Sequence, residues 1–212
     1  MLKSFKSLLT AAAMVLSAVS FNAQAEEYVA GKDYKVLPTP VPVMANGKIH
    51  VEEAFWYGCP HCYQLEAYVG PWKKTLPADV DFKQVPASFG RAWAIHAHLF
   101  YAAENLGVMD KVHDDIFKAI HVQRERLLDQ DDQIQFFKDR GVSAEDAKKA
   151  LNSFTVKSRV KQADKRVRSF QIDGVPAIIV NGKYMVNASS AGGTANVTKV
   201  VDFLIKKERS GK

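Results

Sequence analysis

The two cysteines of this 212-residue chain stand three residues apart, in the segment Cys59-Pro60-His61-Cys62. Alternating residues at 48–55 predict a β-strand directly before them, and residues 63–69 are predicted to form the first turns of a helix. Pro60 suits the first helical position, where a missing N–H is not needed. The chain must therefore fold so that a strand passes into a helix at the cysteine pair.

Strand patterns occupy both ends of the remaining chain, and helical patterns occupy its middle. Besides the strand at 48–55, strands are predicted near 34–37, 79–85, 174–180 and 183–186, and Asn181-Gly182 is a hairpin signal. From Arg91 to about Arg168 a period of 3.6 residues replaces alternation. We predict an α/β fold with a mixed central sheet, formed by residues 26–88 and 169–212, and an inserted helical domain at 89–168. Gly70-Pro71 is expected to kink or break the first helix.

The first 25 residues have the three features of a secretory signal peptide. Lys3 and Lys6 are basic, residues 8–21 are apolar, and Ala23-Gln24-Ala25 is a small-x-small cleavage site. The apolar run is short for a membrane anchor, which needs about 20 apolar residues. We predict cleavage after Ala25 and export to an oxidising compartment. Loss of the two lysines lowers the formal charge from +6 to +4.

The spacing of the cysteines indicates a chemical role. A disulfide between residues three apart closes a very short loop, so it adds little chain-entropy stabilisation. Cys59 at the helix start faces unpaired N–H groups and the positive end of the helix dipole, which favour its thiolate. We assign Cys59 as the nucleophile and Cys62, one turn inside the helix, as the resolving thiol. A cationic His61 beside the thiolate would make the disulfide a stronger oxidant.

Other uses of these residues are less well supported. A zinc site needs four ligands, and the sequence has no second Cys-x-x-Cys or His-x3-His pair, so no metal is predicted. A structural disulfide is disfavoured by the short loop. One helix is rich in basic residues, but an exported protein rarely meets nucleic acid, and we interpret this helix as a solvated face. Its basic residues are Lys157, Arg159, Lys161, Lys165, Arg166 and Arg168.

Three features together resemble the DsbA family of periplasmic thiol:disulfide oxidoreductases. They are the segment Phe55–Glu66, the helical insertion and Gly174-Val175-Pro176. The resemblance implies a thioredoxin-like domain and a dithiol oxidase that donates a disulfide to newly exported proteins. It implies no cofactor other than the redox-active disulfide Cys59–Cys62. It also implies periplasmic localisation and reoxidation by a quinone-linked membrane partner resembling DsbB.

The resemblance and strand parity add further candidate residues. Val175-Pro176 matches the cis-proline of the family, which lies against the active-site disulfide and leaves the backbone of residue 175 free to pair with a substrate chain. Glu53 matches a buried acid, and alternation places it on the face of β-strand 48–55 that carries apolar side chains. It could shuttle the proton of Cys62, although burial of Glu52 instead remains open. Glu66 matches a second acid of the family.

Lys83, on the next strand, is a plausible ionic partner of Glu53. We expect a monomer, since no dimerisation segment is evident between Glu26 and the first strand. Two other functions remain open: a disulfide isomerase or reductase, and a peptide-binding chaperone with an incidental disulfide.

Overall fold

The computed structural model describes residues 28–211, so the predicted signal peptide lies outside the described part. Five strands are present in these residues: β1 Lys35–Val36, β2 Ile49–Phe55, β3 Val80–Pro86, β4 Ala177–Val180 and β5 Tyr184–Val186. They form one mixed sheet in the order β1-β5-β4-β2-β3. The interior strand β2 pairs in parallel with β3 and antiparallel with β4, whereas β5 pairs antiparallel with both β4 and β1. The predicted mixed sheet is therefore confirmed.

Seven α-helices accompany the sheet in the described residues. One, α1, joins β2 to β3, five lie in sequence between β3 and β4, and α7 follows β5 after a short 3-10 turn. None of the helices between residues 28 and 211 is long and apolar enough to cross a membrane. Their bounds are α1 Pro60–Lys73, α2 Arg91–Asn105, α3 Met109–His121, α4 Gln130–Lys138, α5 Ala144–Asn152, α6 Phe154–Ser169 and α7 Val197–Ser210.

Helix α1 does not break at Gly70-Pro71, one of the two outcomes expected from the sequence. The helix runs through Gly70-Pro71 to Lys73 without a break. Pro71 removes a single backbone donor, and only two helical residues follow it. As a result, Lys73 stays on the same helix as Cys62 and Glu66 and is carried back toward the sheet.

The strand that leads to the cysteines is buried along its whole length. All seven residues of β2 are shielded from solvent. Helices α1 and α7 contribute to one apolar cluster with β2 and β4, and the helical segment between β3 and β4 contributes to a second, which contains both cysteines. Because β2 is covered on both faces, its polar residues His50, Glu52 and Glu53 are buried together with its apolar ones.

The hairpin between β4 and β5 forms as its sequence predicts. Asn181 and Gly182 both have positive φ, at 50° and 65°, as a two-residue turn of this kind requires. A side chain at Gly182 would also collide with the carbonyl group of Val41. The proline-containing segment before β2 therefore packs closely against this turn.

Candidate active site

Cys59 is the N-cap residue of α1, and Pro60 is its first residue. The Cys62 N–H donates a hydrogen bond to Cys59 Sγ at 3.3 Å, so the sulfur occupies the place of a capping oxygen. Both cysteines are free thiols. The strand-to-helix junction predicted from the sequence is therefore present, and it places the Cys59 sulfur at the positive end of the helix.

The two thiols differ strongly in acidity. The pKa of Cys59 is lowered to about 6, first by the hydrogen bond from the Cys62 thiol and then by the backbone N–H groups of Cys62 and His61, while partial burial opposes the shift. The charge of His61 makes a smaller contribution in the same direction. Burial, followed by the neighbouring Cys59, raises the pKa of Cys62 far above its usual range. Near neutral pH, Cys59 is thus a thiolate and Cys62 a thiol.

The Val175-Pro176 peptide bond is cis, as expected from its sequence context. It immediately precedes β4 and brings the carbonyl oxygen of Val175 to 3.5 Å from Cys59 Sγ. Residues 116 positions apart in the chain thus form one surface. The backbone of Val175 adjoins the sulfur that an incoming thiol would meet.

Strand parity correctly places Glu53 in a buried position, but Glu52 is buried as well. Glu53 is 1% exposed and Glu52 is 9% exposed. The two side chains point to opposite faces of β2, where Glu53 accepts a hydrogen bond from Gln84 Nε2 at 2.9 Å and Glu52 pairs with Arg166 of α6. Burial, followed by repulsion from Glu66, raises the pKa of Glu53 to about 8.

Glu66 belongs to the same buried network but has the opposite protonation. Gln84 Nε2 donates to Glu66 Oε2 at 2.9 Å, so a single amide bridges the two carboxyl groups. Lys73 Nζ lies 3.2 Å from Glu66 Oε1, and His113 Nε2 lies 3.3 Å from Oε2. Burial alone would raise the pKa of Glu66, but His113 and Lys73 outweigh it and the pKa is lowered. A neutral Glu53 therefore adjoins an ionised Glu66.

The proposed ion pair between Lys83 and Glu53 is wrong. Lys83 is directly opposite Glu52 in the parallel β2–β3 register, whereas Gln84 is opposite Glu53. The Lys83 side chain is more than half exposed and pairs with Asp81 at 3.2 Å. The lysine that reaches the network of Glu53, Gln84 and Glu66 is Lys73, from the end of α1, which pairs with Glu66.

Sequence reasoning missed most of this network. Gln84 could have been found from strand pairing, because it lies on the same face as Glu53. Lys73 required α1 to continue through Pro71, and His113 comes from α3, whose packing against α1 has no local signal. A groove of about 1790 Å³ is lined by Glu66, Lys73, Gln84 and His113 among other residues, so solvent can reach the network from the side.

Among residues 28–211, no three His, Cys, Asp or Glu side chains are arranged so that they could hold a metal ion. His96 is buried, with its Nε2 3.0 Å from the carbonyl oxygen of Arg126.

Comparisons with known proteins agree on one family. A family model described as a DSBA-like thioredoxin domain matches residues 78–197, more than half of the chain. The chain is 43% identical over 203 residues to the thiol:disulfide interchange protein DsbA of Pseudomonas aeruginosa, covering 96% of both proteins. It is 47% identical over 180 residues to that of Azotobacter vinelandii, covering 85% of this chain and 84% of the relative.

Solved structures give the same result. The crystal structure of Pseudomonas aeruginosa DsbA superposes with a TM-score of 0.82 at 43% identity, covering 87% of this chain and 96% of the other. That of oxidoreductase DsbA from Xylella fastidiosa gives 0.79 at 32% identity, covering 86% and 98%.

A thioredoxin-type sheet with an acidic Cys-x-x-Cys thiol at a helix start defines a thiol:disulfide oxidoreductase. The sequence identity to DsbA proteins over most of the chain identifies one family within this class. The chain belongs to the DsbA family.

Proposed function

We propose that the oxidised Cys59–Cys62 pair donates its disulfide to newly exported proteins in the periplasm, after removal of residues 1–25. The observation that carries the proposal is the difference in acidity between the two thiols. A stable Cys59 thiolate favours the reduced form of the pair, and a pair that favours its reduced form is a strong oxidant.

The reaction is two successive thiol–disulfide exchanges. A substrate thiolate attacks Cys59 Sγ, a mixed disulfide forms, and the bond to Cys62 breaks with its electron pair left on Cys62. A second substrate thiolate then attacks the substrate sulfur of the mixed disulfide and releases Cys59 as a thiolate. The substrate loses two electrons and gains a disulfide, and the protein gains the two electrons as a dithiol.

Glu53 is suited to supply the proton that Cys62 requires in the first exchange. Cys62 has a strongly raised pKa, so its leaving thiolate takes up a proton readily. Glu53 is neutral below a pH of about 8 and interacts electrostatically with Cys62. Gln84 donates a hydrogen bond to Glu53, and Gln84 also lines the solvent-reachable groove, so Glu53 lies one residue away from solvent.

The surroundings of Cys59 suit an extended polypeptide substrate. Val175 offers a backbone carbonyl beside the sulfur, and Pro60 and His61 are exposed on the other side. We assign Val175 and Pro176 to substrate binding, with Glu66 in support of Glu53. Substrate binding of this kind depends on the backbone, so it accepts many sequences.

The remaining assignments extend this proposal. Reoxidation would use a quinone-linked membrane partner resembling DsbB, with Cys59–Cys62 again the only redox group required. The protein would act as a monomer, with residues 26–88 and 169–212 as the thioredoxin-like domain and 89–168 as the inserted helical domain.

Equilibration of the reduced protein with glutathione, followed by tryptophan fluorescence, tests the proposal. We expect an oxidising couple, and a reduction potential near that of cytosolic thioredoxin would reject it. Refolding of a protein with scrambled disulfides separates an oxidase from an isomerase, because an oxidase alone does not rescue such a substrate. Full activity of Cys59→Ser would instead favour a chaperone.

A further inference from the structure

Tyr57, two residues before Cys59, is held at both ends by helix α3. His121 Nε2 lies 2.8 Å from the backbone carbonyl oxygen of Tyr57, and His113 Nδ1 lies 2.9 Å from its hydroxyl oxygen. Tyr57 is 1% exposed; its contact with His113 is buried, and its contact with His121 is partly buried. Two histidines of one helix thus hold the loop that leads to the nucleophile.

The chemistry of the partners determines which ring nitrogens carry protons. A carbonyl oxygen only accepts hydrogen bonds, so Nε2 of His121 must be the N–H donor to Tyr57. Ionised Glu66 likewise only accepts, so the Nε2 of His113 that faces it carries the hydrogen. In its neutral form the Nδ1 of His113 then accepts from the Tyr57 hydroxyl group.

The loop fixed in this way contacts the backbone of Cys59 and the side chain of Cys62. Cys59 N–H donates to the carbonyl oxygen of Trp56 at 3.0 Å, and a backbone hydrogen bond from Trp56 lowers the pKa of Cys62 against the larger effect of burial. A side chain at Gly58 would collide with the indole ring of Trp56. The position of the Tyr57 peptide is therefore linked to Cys59 and Cys62 through the neighbouring Trp56 backbone.

His121 also contacts the helix that follows the cysteines. Its ring stacks on Tyr63, with centroids 4.9 Å apart and an interplanar angle of 4°. The N–H of Tyr63 donates to the carbonyl oxygen of Cys59 at 3.1 Å. One imidazole ring thus contacts the chain on both sides of the redox pair.

We propose that His121 is a positioning residue that fixes the Tyr57–Gly58 peptide and thereby keeps Cys59 Sγ within reach of the N–H groups that favour its thiolate. His113 fixes the other end of Tyr57 through a hydrogen bond with its hydroxyl group. This inference rests on the proposed function, since the stability of the Cys59 thiolate sets the oxidising strength of the pair.

Three variants test the proposal. His121→Phe keeps an aromatic ring against Tyr63 but removes the donor, His121→Gln keeps an N–H donor, and His98→Phe is a matched control on α2, near Lys157 of α6. The measurements are the thiolate absorbance of Cys59 as a function of pH and the equilibrium with glutathione.

In His121→Phe we expect a higher Cys59 pKa and a glutathione equilibrium shifted toward the disulfide, by between about twofold and tenfold, the range of one ordinary hydrogen bond. His121→Gln should recover most of this change, and His98→Phe should match the wild type. Wild-type values in His121→Phe, or equal changes in the Phe and Gln variants, would overturn the proposal.

A measurement on the wild-type protein does not depend on the folding of any variant. Nitrogen NMR of the imidazole rings should find Nε2–H on His121, and a neutral Nδ1–H tautomer would overturn the proposal. If the tautomer and the variants behave as expected but the wild-type protein donates no disulfides, the proposed function fails and the positioning role stands.

Discussion

Replacement of Glu53 by glutamine should make the reduced protein more stable, and the gain should increase with pH. The pKa of Glu53 is raised from 4.5 to about 8 by burial and by Glu66. Between these values the folded protein keeps a proton that the unfolded chain releases, so stability falls as pH rises through this window. The glutamine side chain in the Glu53→Gln variant has no such proton to lose, and as an amide it can still accept the hydrogen bond from Gln84.

The size of this stability difference follows from the pKa shift of Glu53. One pKa unit corresponds to about 1.4 kcal/mol, so wild-type stability should fall relative to Glu53→Gln by about 3 kcal/mol between pH values of about 5 and about 8. Urea unfolding of both reduced proteins, followed by circular dichroism across this range, measures the difference. Parallel stability profiles for the two proteins would refute the reasoning.

The Glu66→Gln variant should change the stability of the reduced protein in the opposite direction to Glu53→Gln. The pKa of Glu66 is lowered, because His113 and Lys73 outweigh the effect of its burial. Its ionised form therefore contributes stability that is present at neutral pH and lost as pH falls through the lowered pKa. This variant should be less stable than the wild type at neutral pH, and the difference should narrow on acidification.

Three further substitutions test other contacts. His61→Ser should make the disulfide harder to reduce, but the reduction potential should change by less than about 30 mV, which corresponds to one pKa unit of Cys59. The change is small because backbone N–H groups lower the pKa of Cys59 more than His61 does. An unchanged potential against glutathione would contradict this. Arg166→Met leaves Glu52 buried without its ion partner and should cost about 3 kcal/mol in urea unfolding; a loss below about 1 kcal/mol would argue against it. Gly58→Ala forces the indole of Trp56 to move and should cost about 1–3 kcal/mol. Unchanged stability and tryptophan fluorescence in Gly58→Ala would show that the loop has room.

The sequence predicted those parts of the site that depend on local geometry. The helix cap at Cys59 and the shielding of Cys62 follow from positions within one helical turn. The hairpin at Asn181-Gly182 follows from the need for positive φ at two successive residues. Strand parity also selected Glu53, since alternation fixes which side chains share a face.

The alternation of side chains along a strand does not show which helices cover each face of the sheet. The sequence offers Glu53 or Glu52 as the buried acid, whereas both are buried, because α6 lies near Glu52 and its Arg166 supplies a partner. Lys83 was chosen as a partner because it lies on the adjacent strand, yet its register places it opposite Glu52. His113 and His121 were missed because contacts between α3 and the loop before Cys59 join residues 56 and 64 positions apart.

The order of strands in the sheet has a consequence for how the protein matures. Strand β4 lies between β5 and β2, so β1 and β5 connect to the rest of the sheet only through a strand near the end of the chain. Until Val175 and β4 have emerged, β2 lacks one neighbour and Cys59 lacks the carbonyl group that adjoins its sulfur. Contacts of such long sequence separation form late in folding. A chain that ends before Val175 therefore carries both cysteines without the strand and the carbonyl group that complete the surroundings of Cys59.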